Sequence, residues 1–159
     1  MTNPTQILKD VFGRFASGVT VVTARHGEDI HGMTASAVTS LSADPPLLLV
    51  SVDHRATMCE FLKKAGSFAV NILTLEQEAL SNRFASRGPK EFSDIPQKES
   101  VTGSPVFAES LAYAECKIRH ILPGGDHDIF VGEIVAGAAH EGVPLLYYKG
   151  KYRSLTDAS

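Results

Sequence analysis

The 159-residue sequence contains no tryptophan and only two cysteines, Cys59 and Cys116, which lie far apart and form no CxxC pair. This spacing argues against a disulfide framework and favours a reducing compartment. No apolar run approaches the length that crosses a membrane, and the first residues lack the basic-then-apolar order of a secretory leader. We therefore expect a cytoplasmic protein with no membrane association.

Excess basic charge is also lacking, since 18 acidic residues outnumber 15 basic ones and the formal net charge is −3. Proteins that bind nucleic acids usually carry a basic surface that replaces counterions on the phosphates. No basic stripe occurs here, so nucleic acid is not expected as a partner. The six histidines form no ligand-like cluster with cysteine, and no metal site is expected either.

Several motifs that identify enzyme classes are absent. No GxGxxG follows a predicted strand, so a Rossmann site is not supported, although a pyridine nucleotide that binds briefly as a substrate needs no such motif. GxxxxGK[ST], HExxH and GxSxG are also missing. Asp126 and Asp128 alternate along one short stretch, and we interpret them as part of an exposed turn rather than as a catalytic pair.

A hydrophobic fraction of 43% fits a single domain over residues 1–159. The first predicted element is a helix over residues 4–15, with Asn3 as its N-cap, Gln6 completing a capping box and Gly18 ending it. Apolar residues recur within it at helical spacing, so we expect one of its faces to pack on the core.

Two more helices and a series of strands follow from the same periodicity arguments. Gly66 ends a helix over 56–65, and a capping box of Thr74 with Gln77 opens a helix that extends to Phe84. The predicted strands cover residues 19–24, 30–36, 47–52, 67–73, 111–122, 129–138 and 145–148. About seven short strands favour a mainly β, antiparallel barrel with a few inserted helices, and the strand–helix alternation in the middle leaves an α/β sheet as the alternative. The polar stretch 87–105 indicates a functional lid or an irregular crossing.

The run Gly32–Pro46 is rich in hydroxyl groups and alanines and holds no acid or base before Asp44. Small side chains let a backbone approach a flat polar ligand, and outward N–H and hydroxyl groups can then bind its oxygens. Such a segment suits a cofactor that carries its own chemistry. The alternative is an exposed hairpin corner without a ligand, because hydroxyl residues also favour turns.

The segment Ser51–Thr57 joins a predicted strand to a predicted helix. A helix N-terminus that follows a strand is a natural phosphate site, since its free N–H groups and its dipole both favour anions. Arg55 and Thr57 are the candidate phosphate partners. In the alternative interpretation, Thr57 or Asp53 only caps the helix and Arg55 is solvated.

Four blocks of sequence, in order and spacing, resemble the short flavin reductases that supply reduced flavin to two-component monooxygenases. They are Ser17–Thr23, Gly32–Pro46, Leu47–Val52 and the later signature Gly125–Ile134 (GDHDIFVGEI). The resemblance extends from about Phe12 to Tyr152. It implies an antiparallel Greek-key split β-barrel that binds flavin, as a homodimer with the site near the interface.

The resemblance also implies an NAD(P)H:flavin oxidoreductase that transfers hydride from NADH or NADPH to FMN or FAD and passes reduced flavin to a separate monooxygenase. Which flavin, which nucleotide and which monooxygenase are used stays open. The alternative is a flavin-binding electron carrier or storage protein without reductase turnover, because the same fold family contains such proteins. An enzyme resembling pyridoxamine-phosphate oxidase is disfavoured by the low basic content.

On this basis His127 is the candidate catalytic residue, with the role of orienting the nicotinamide carboxamide. Tyr152 is expected to cover the site, and Phe84 is either a core residue or a ring contact. The candidate flavin-binding residues are Thr34, Ala35, Ser36, Ala37, Thr39, Ser40, Ser42, Ser51, Val52, Asp53, Arg55, Ala56, Thr57, Phe84, Ser86, Arg87 and Tyr152.

Overall fold

A computed structural model describes residues 3–155, and most of its regular structure is antiparallel β-sheet. The helices are α1 (Pro4–Phe12), α2 (Thr57–Ala65) and α3 (Glu78–Ala85), and a 3₁₀ turn at Leu75–Gln77 leads into α3. The strands are β1 (Ser17–Gly18), β2 (Thr20–His26), β3 (Asp29–Ala35), β4 (Val38–Ala43), β5 (Pro46–Asp53), β6 (Ser67–Ile72), β7 (Gln97–Lys98), β8 (Val106–Phe107), β9 (Ala112–Gly124), β10 (His127–Ala139), β11 (Leu145–Tyr148) and β12 (Lys151–Ser154).

Seven strands form the main sheet in the order β3-β2-β6-β9-β10-β5-β4, and every neighbouring pair is antiparallel. The α/β alternative is therefore wrong. Strands β3 and β4 lie at opposite ends of this order, yet only Ser36 and Ala37 separate them along the chain. Three peptide units span at most roughly 11 Å, so the sheet must curve until its two end strands meet at this corner.

Local signals placed the middle helices correctly. Gly66 ends α2 in a left-handed conformation with φ 72°, where a residue without a Cβ is favoured. The predicted capping box is confirmed, since the side chain of Gln77 accepts from the N–H of Thr74 at 3.0 Å and the Thr74 side chain accepts in return. Strand β4 was not predicted, because its serines and threonines suit a loop as well as an edge strand.

The predicted first helix is wrong at its C-terminal end. The helix stops at Phe12, and the N–H of Gly13 closes the last turn on the carbonyl of Lys9 at 2.8 Å. Asn3 is the N-cap as predicted, but Gln6 does not complete a capping box, because its side chain donates to Asp10 at 3.0 Å.

The apolar face of α1 does not pack on the core, which contradicts the sequence-based expectation. No residue of α1 is buried, and Ile7, Leu8, Val11 and Phe12 are between 46% and 62% exposed. Helical periodicity shows that a face is apolar without showing which surface covers it.

The core lies between the curved sheet and the helices. One cluster joins α2 to the strands through Met58, Leu62, Phe68 and Phe130, and a second surrounds Phe84 with Phe92 and Phe107. Within residues 3–155, no helix is both long and apolar enough to cross a membrane.

Candidate functional site

A cavity of about 780 Å³ lies between β3, the start of α2, α3 with the loop after it, and the β11–β12 hairpin. This volume is in the range of cofactor sites. The predicted flavin-binding residues that line it are Thr34, Ala35, Ser36, Asp53, Arg55, Ala56, Thr57, Phe84, Ser86, Arg87 and Tyr152. They come from distant parts of the chain, so the fold brings them together.

The other predicted binding residues lie outside this lining. Thr39, Ser40 and Ser42 belong to β4, and the carbonyl of Ala37 accepts from the N–H of Ser51 at 3.0 Å. The side chain of Val52 is buried in the core cluster beneath α2. Val52 faces away from the cavity because alternate positions of a strand face opposite sides and its neighbour Asp53 lines the cavity.

His127 stands at the rim rather than in the lining. It begins β10 directly opposite Asp53, which does line the cavity. Its Nδ1 lies 2.6 Å from a carboxylate oxygen of Asp126, and its side chain is 37% exposed. The ring is therefore oriented by a carboxylate and accessible to a second ligand.

A chain of hydrogen bonds closes one wall of the cavity. The Thr34 hydroxyl donates to the carbonyl oxygen of Ser81 at 2.6 Å, and the Ser81 hydroxyl lies 2.6 Å from the Tyr152 hydroxyl. Tyr152 in turn donates to the side-chain oxygen of Asn82 at 3.1 Å. These contacts tie β3 and β12 to α3. Ser81 is fully buried, and no sequence motif singled it out.

Phe84 is a core residue, 1% exposed, and also forms part of the cavity wall, so contact with a ligand ring stays a prediction. The Phe84 ring lies against the backbone of Gly32. A Cβ built on Gly32 would stand 2.7 Å from two ring carbons, closer than side chains tolerate. Glycine is thus required at this position because the aromatic ring occupies the space of a side chain.

The N-terminus of α2 opens into the cavity without a side-chain cap. Ala56 is the N-cap residue, and both Thr57 and Met58, which follow it, line the cavity. The first N–H groups of a helix have no intrahelical acceptor, so they are available to an anion. The alternative in which Thr57 or Asp53 caps this helix is wrong, because no side chain makes the capping bond.

Asp53 instead holds Arg55. Its carboxylate accepts from the Arg55 backbone N–H at 2.8 Å and from the guanidinium at 3.1 and 2.8 Å. These hydrogen bonds hold the pKa of Asp53 well below its usual range. Arg55 therefore keeps a fixed direction next to the uncapped helix, although its side chain is 86% exposed.

The cavity is basic although the whole chain is acidic. Among the lining residues of the described chain, Asp53 is the sole carboxylate, whereas Arg55, Arg87 and Lys90 are cationic. Burial lowers the pKa of Lys90, whose ammonium donates to the Ser86 carbonyl. Burial, together with the nearby charge of Lys90, also lowers the pKa of His31, another lining residue. This balance suits an anionic ligand.

Sequence reasoning missed Lys90, His31 and Ser81. Lys90 falls in the irregular stretch after α3, where no periodicity relates a residue to a site. Two arginines outside the lining are paired with carboxylates: Arg83 is held by Asp94 at 2.7 and 2.8 Å and Arg119 by Glu133 at 2.6 Å. Among residues 3–155 there is no group of metal-ligating side chains.

The interpretation of Asp126 and Asp128 as one exposed turn is wrong for Asp128. The Asp126 side chain is 84% exposed, whereas the Asp128 side chain is only 13% exposed. Asp128 points to the side of β10 on which α2 packs, and it binds side chains there.

The family described as Flavin reductase like domain matches residues 12–156. The chain belongs to this family. The reductase component of a 4-hydroxyphenylacetate 3-monooxygenase from Thermus thermophilus is 44% identical over 153 residues, covering 94% of this chain and 96% of that protein. The reductase component of a 4-nitrophenol monooxygenase from Rhodococcus opacus is 42% identical, covering 91% and 77%.

Solved structures of flavin reductases superimpose on nearly the whole chain. Flavin reductase PheA2 in its native state has a TM-score of 0.90 at 36% identity and covers 98% of this chain and 100% of that one. The NADH:FAD oxidoreductase SgcE6 of Streptomyces globisporus, solved with NAD and FAD fragments, has a TM-score of 0.90 at 35% identity, covering 100% and 99%. The predicted split barrel and the predicted assignment as a flavin reductase are confirmed.

Proposed function

We propose that this flavin reductase transfers hydride from a reduced pyridine nucleotide to FMN or FAD and delivers the reduced flavin to a separate monooxygenase. The observation that carries the proposal is one cavity that combines a small-residue strand edge, an uncapped helix N-terminus and cationic side chains. Relatives named as an NADH-dependent flavin reductase from a Rhodococcus species and an NADH-dependent FMN reductase from Streptomyces nodosus support it.

The residues of the cavity fit a flavin phosphate at the start of α2. The free N–H groups of Thr57 and Met58 would bind phosphate oxygens, and Arg55 would add a positive charge that Asp53 holds in place. The helix dipole favours an anion at this end.

The residues of β3 fit the flat ring of the flavin. Strand β3 pairs with β2 on one side, and its other edge has no strand partner within the described residues 3–155. Backbone N–H groups from Thr34 to Ser36 are therefore the expected donors. The hydroxyl of Thr34 is already donated to Ser81, so this side chain supports the wall rather than the ligand.

The flavin and the nicotinamide supply the hydride-transfer chemistry when both are bound. The residues of the chain hold the two ligands together and stabilise negative charge in the cavity. Lys90 and Arg87, in the loop after α3, provide the positive charge that stabilises it. His127, oriented by Asp126 at the rim, is proposed to hydrogen-bond the nicotinamide carboxamide.

We also propose that the protein is a homodimer. The uncovered apolar face of α1 and the half-exposed ring of Tyr147, which lines the cavity, support an interface close to the site. Such an interface would cover surface that the isolated chain leaves in water.

The oxidation of NADH and NADPH, followed by their absorbance with and without added FMN or FAD, tests the activity. We expect added flavin to accelerate nucleotide oxidation. If neither flavin accelerates it with either nucleotide, the protein is a flavin carrier or storage protein rather than a reductase.

A further inference from the structure

Asp128 follows His127 on β10 and makes contacts that the reaction outlined above does not use. Its carboxylate lies 3.0 Å from His54 Nε2, 3.0 Å from Lys63 Nζ and 3.5 Å from Cys59 Sγ. His54 belongs to the turn after β5, whereas Cys59 and Lys63 belong to α2. One carboxylate therefore joins three elements: β10, the turn and the helix.

The same turn is attached to the β9–β10 tip by its backbone. The N–H of His54 donates to the carbonyl of Asp126 at 2.9 Å. The turn and the tip are thus joined twice, once by backbone and once through Asp128. The tip carries His127, and the turn carries Arg55 and leads into the uncapped start of α2.

The contacts of Asp128 stabilise its ionised, negatively charged form. His54 and Lys63 hold the pKa of Asp128 at about 2, so it is charged at neutral pH. Lys63 also binds Glu60 at 3.0 Å, which keeps the ammonium on this side of the helix. A charged hydrogen bond fixes direction more strongly than a neutral one.

The position of α2 matters because its N-terminus is one end of the cavity. Helix–phosphate attraction falls off within the first turn, so a small displacement of the helix weakens it. Cys59 is in the first turn of α2 and Lys63 is one turn further on. Contacts from Asp128 to both residues set the distance between the helix and β10.

We propose that Asp128 is a positioning residue that fixes the start of α2 and the Asp53–Ala56 turn relative to His127. By keeping the helix N-terminus in place, Asp128 raises the affinity for the phosphate of FMN. This inference rests on the proposed function, which places the flavin phosphate at the start of α2. Asp128 does not touch the ligand and acts through His54, Cys59 and Lys63.

The test compares the binding of FMN with that of riboflavin, which lacks the phosphate. Dissociation constants are measured by flavin fluorescence for the wild-type protein, Asp128→Asn and the control Glu133→Gln, below the melting temperature of each. The control removes a carboxylate charge from the same strand, where it pairs with Arg119 at 2.6 Å outside the cavity.

We expect Asp128→Asn to lower the FMN preference over riboflavin about three- to tenfold, the scale of an anion at a helix N-terminus, and Glu133→Gln to leave it unchanged. General destabilisation would weaken both ligands equally. An unchanged preference in Asp128→Asn, or an equal loss in Glu133→Gln, overturns the role of Asp128.

Two further outcomes are decisive. If the wild-type protein binds riboflavin as tightly as FMN, the phosphate site at α2 is wrong and the role of Asp128 is rejected with it. If Asp128→Asn does not fold, Lys63→Met replaces it, since this variant keeps the aliphatic stem and removes one partner of the carboxylate. If Lys63→Met prefers FMN over riboflavin as strongly as the wild-type protein does, the proposal is overturned. A weaker preference for FMN in this variant supports it.

Discussion

The hydroxyl of Thr34 donates a 2.6 Å hydrogen bond to the carbonyl oxygen of Ser81 and thereby fastens the end strand β3 to α3. Both residues line the cavity, so the contact fixes the width of the space between strand and helix. Ser81 continues the connection through its own hydroxyl to Tyr152. The side chain of Thr34 thus supports the wall, while its backbone N–H stays a predicted ligand contact.

Replacing Thr34 with valine should lower the free energy of unfolding by about 0.5–1.5 kcal/mol, because the hydrogen bond from its hydroxyl to the Ser81 carbonyl is lost. For a chain of this size the melting temperature should fall by about 2–4 °C per kcal/mol. Thermal unfolding checks this, with Thr39→Val as the control, since Thr39 is exposed on β4. Equal melting temperatures for the two variants would contradict the structural role of Thr34.

Gly32→Ala should destabilise the protein by about 1–3 kcal/mol, the usual cost of overpacking a core, because the new Cβ meets the Phe84 ring. It should also weaken flavin binding, since either the ring or β3 must move. Gly18→Ala is the matched control, because nothing lies within 4 Å of a Cβ at Gly18. Chemical unfolding and flavin titration of both variants test the difference, and a stable Gly32→Ala with normal flavin binding would refute it.

His127→Ala should leave flavin affinity nearly unchanged while lowering kcat/KM for the nucleotide by roughly five- to 150-fold, the effect of about 1–3 kcal/mol from one lost orienting hydrogen bond. Steady-state kinetics and flavin titration on the same variant separate the two effects. His120→Ala, on β9, is the control. A purely structural His127 would instead impair both ligands and lower the melting temperature.

The stabilising effect of Asp128 should depend on pH. Because its folded-state pKa is lowered from 3.8 to about 2, the unfolded chain takes up protons first as the pH falls. The stabilisation is therefore fully present above about pH 4 and is lost as the pH falls towards 2. The difference in unfolding free energy between wild type and Asp128→Asn should shrink across that window. A difference that stays constant from pH 6 to pH 2 would disprove the ion-pair origin.

The proposed homodimer should depend on the apolar face of α1. Light scattering should give twice the 17.1 kDa chain mass for the wild-type protein and a lower mass for Leu8→Glu, which places a charge on that face. Lys9→Glu, on the polar side of the same helix, should keep the wild-type mass. A wild-type species of single-chain mass at micromolar concentration counts against the dimer.

The sequence by itself determined the features that a few neighbouring residues control. Gly66 ends α2 and the Thr74–Gln77 box starts the next helical segment, because caps form within one turn of the chain. The β2–β3 hairpin follows from two neighbouring predicted strands, residues 19–24 and 30–36, joined by a short turn. The hydroxyl-rich run and the Gly125–Ile134 block were sufficient to indicate the family.

Tertiary structure decided what depends on residues far apart in sequence. Whether the apolar face of α1 is covered depends on the surfaces around it, and periodicity carries no such information. Asp126 and Asp128 look equivalent along the chain, but only Asp128 contacts α2, and its side chain is 13% exposed against 84% for Asp126. Lys90 and Ser81 reach the cavity because the curved sheet brings β3, α3 and β12 together, and no local pattern encodes that meeting.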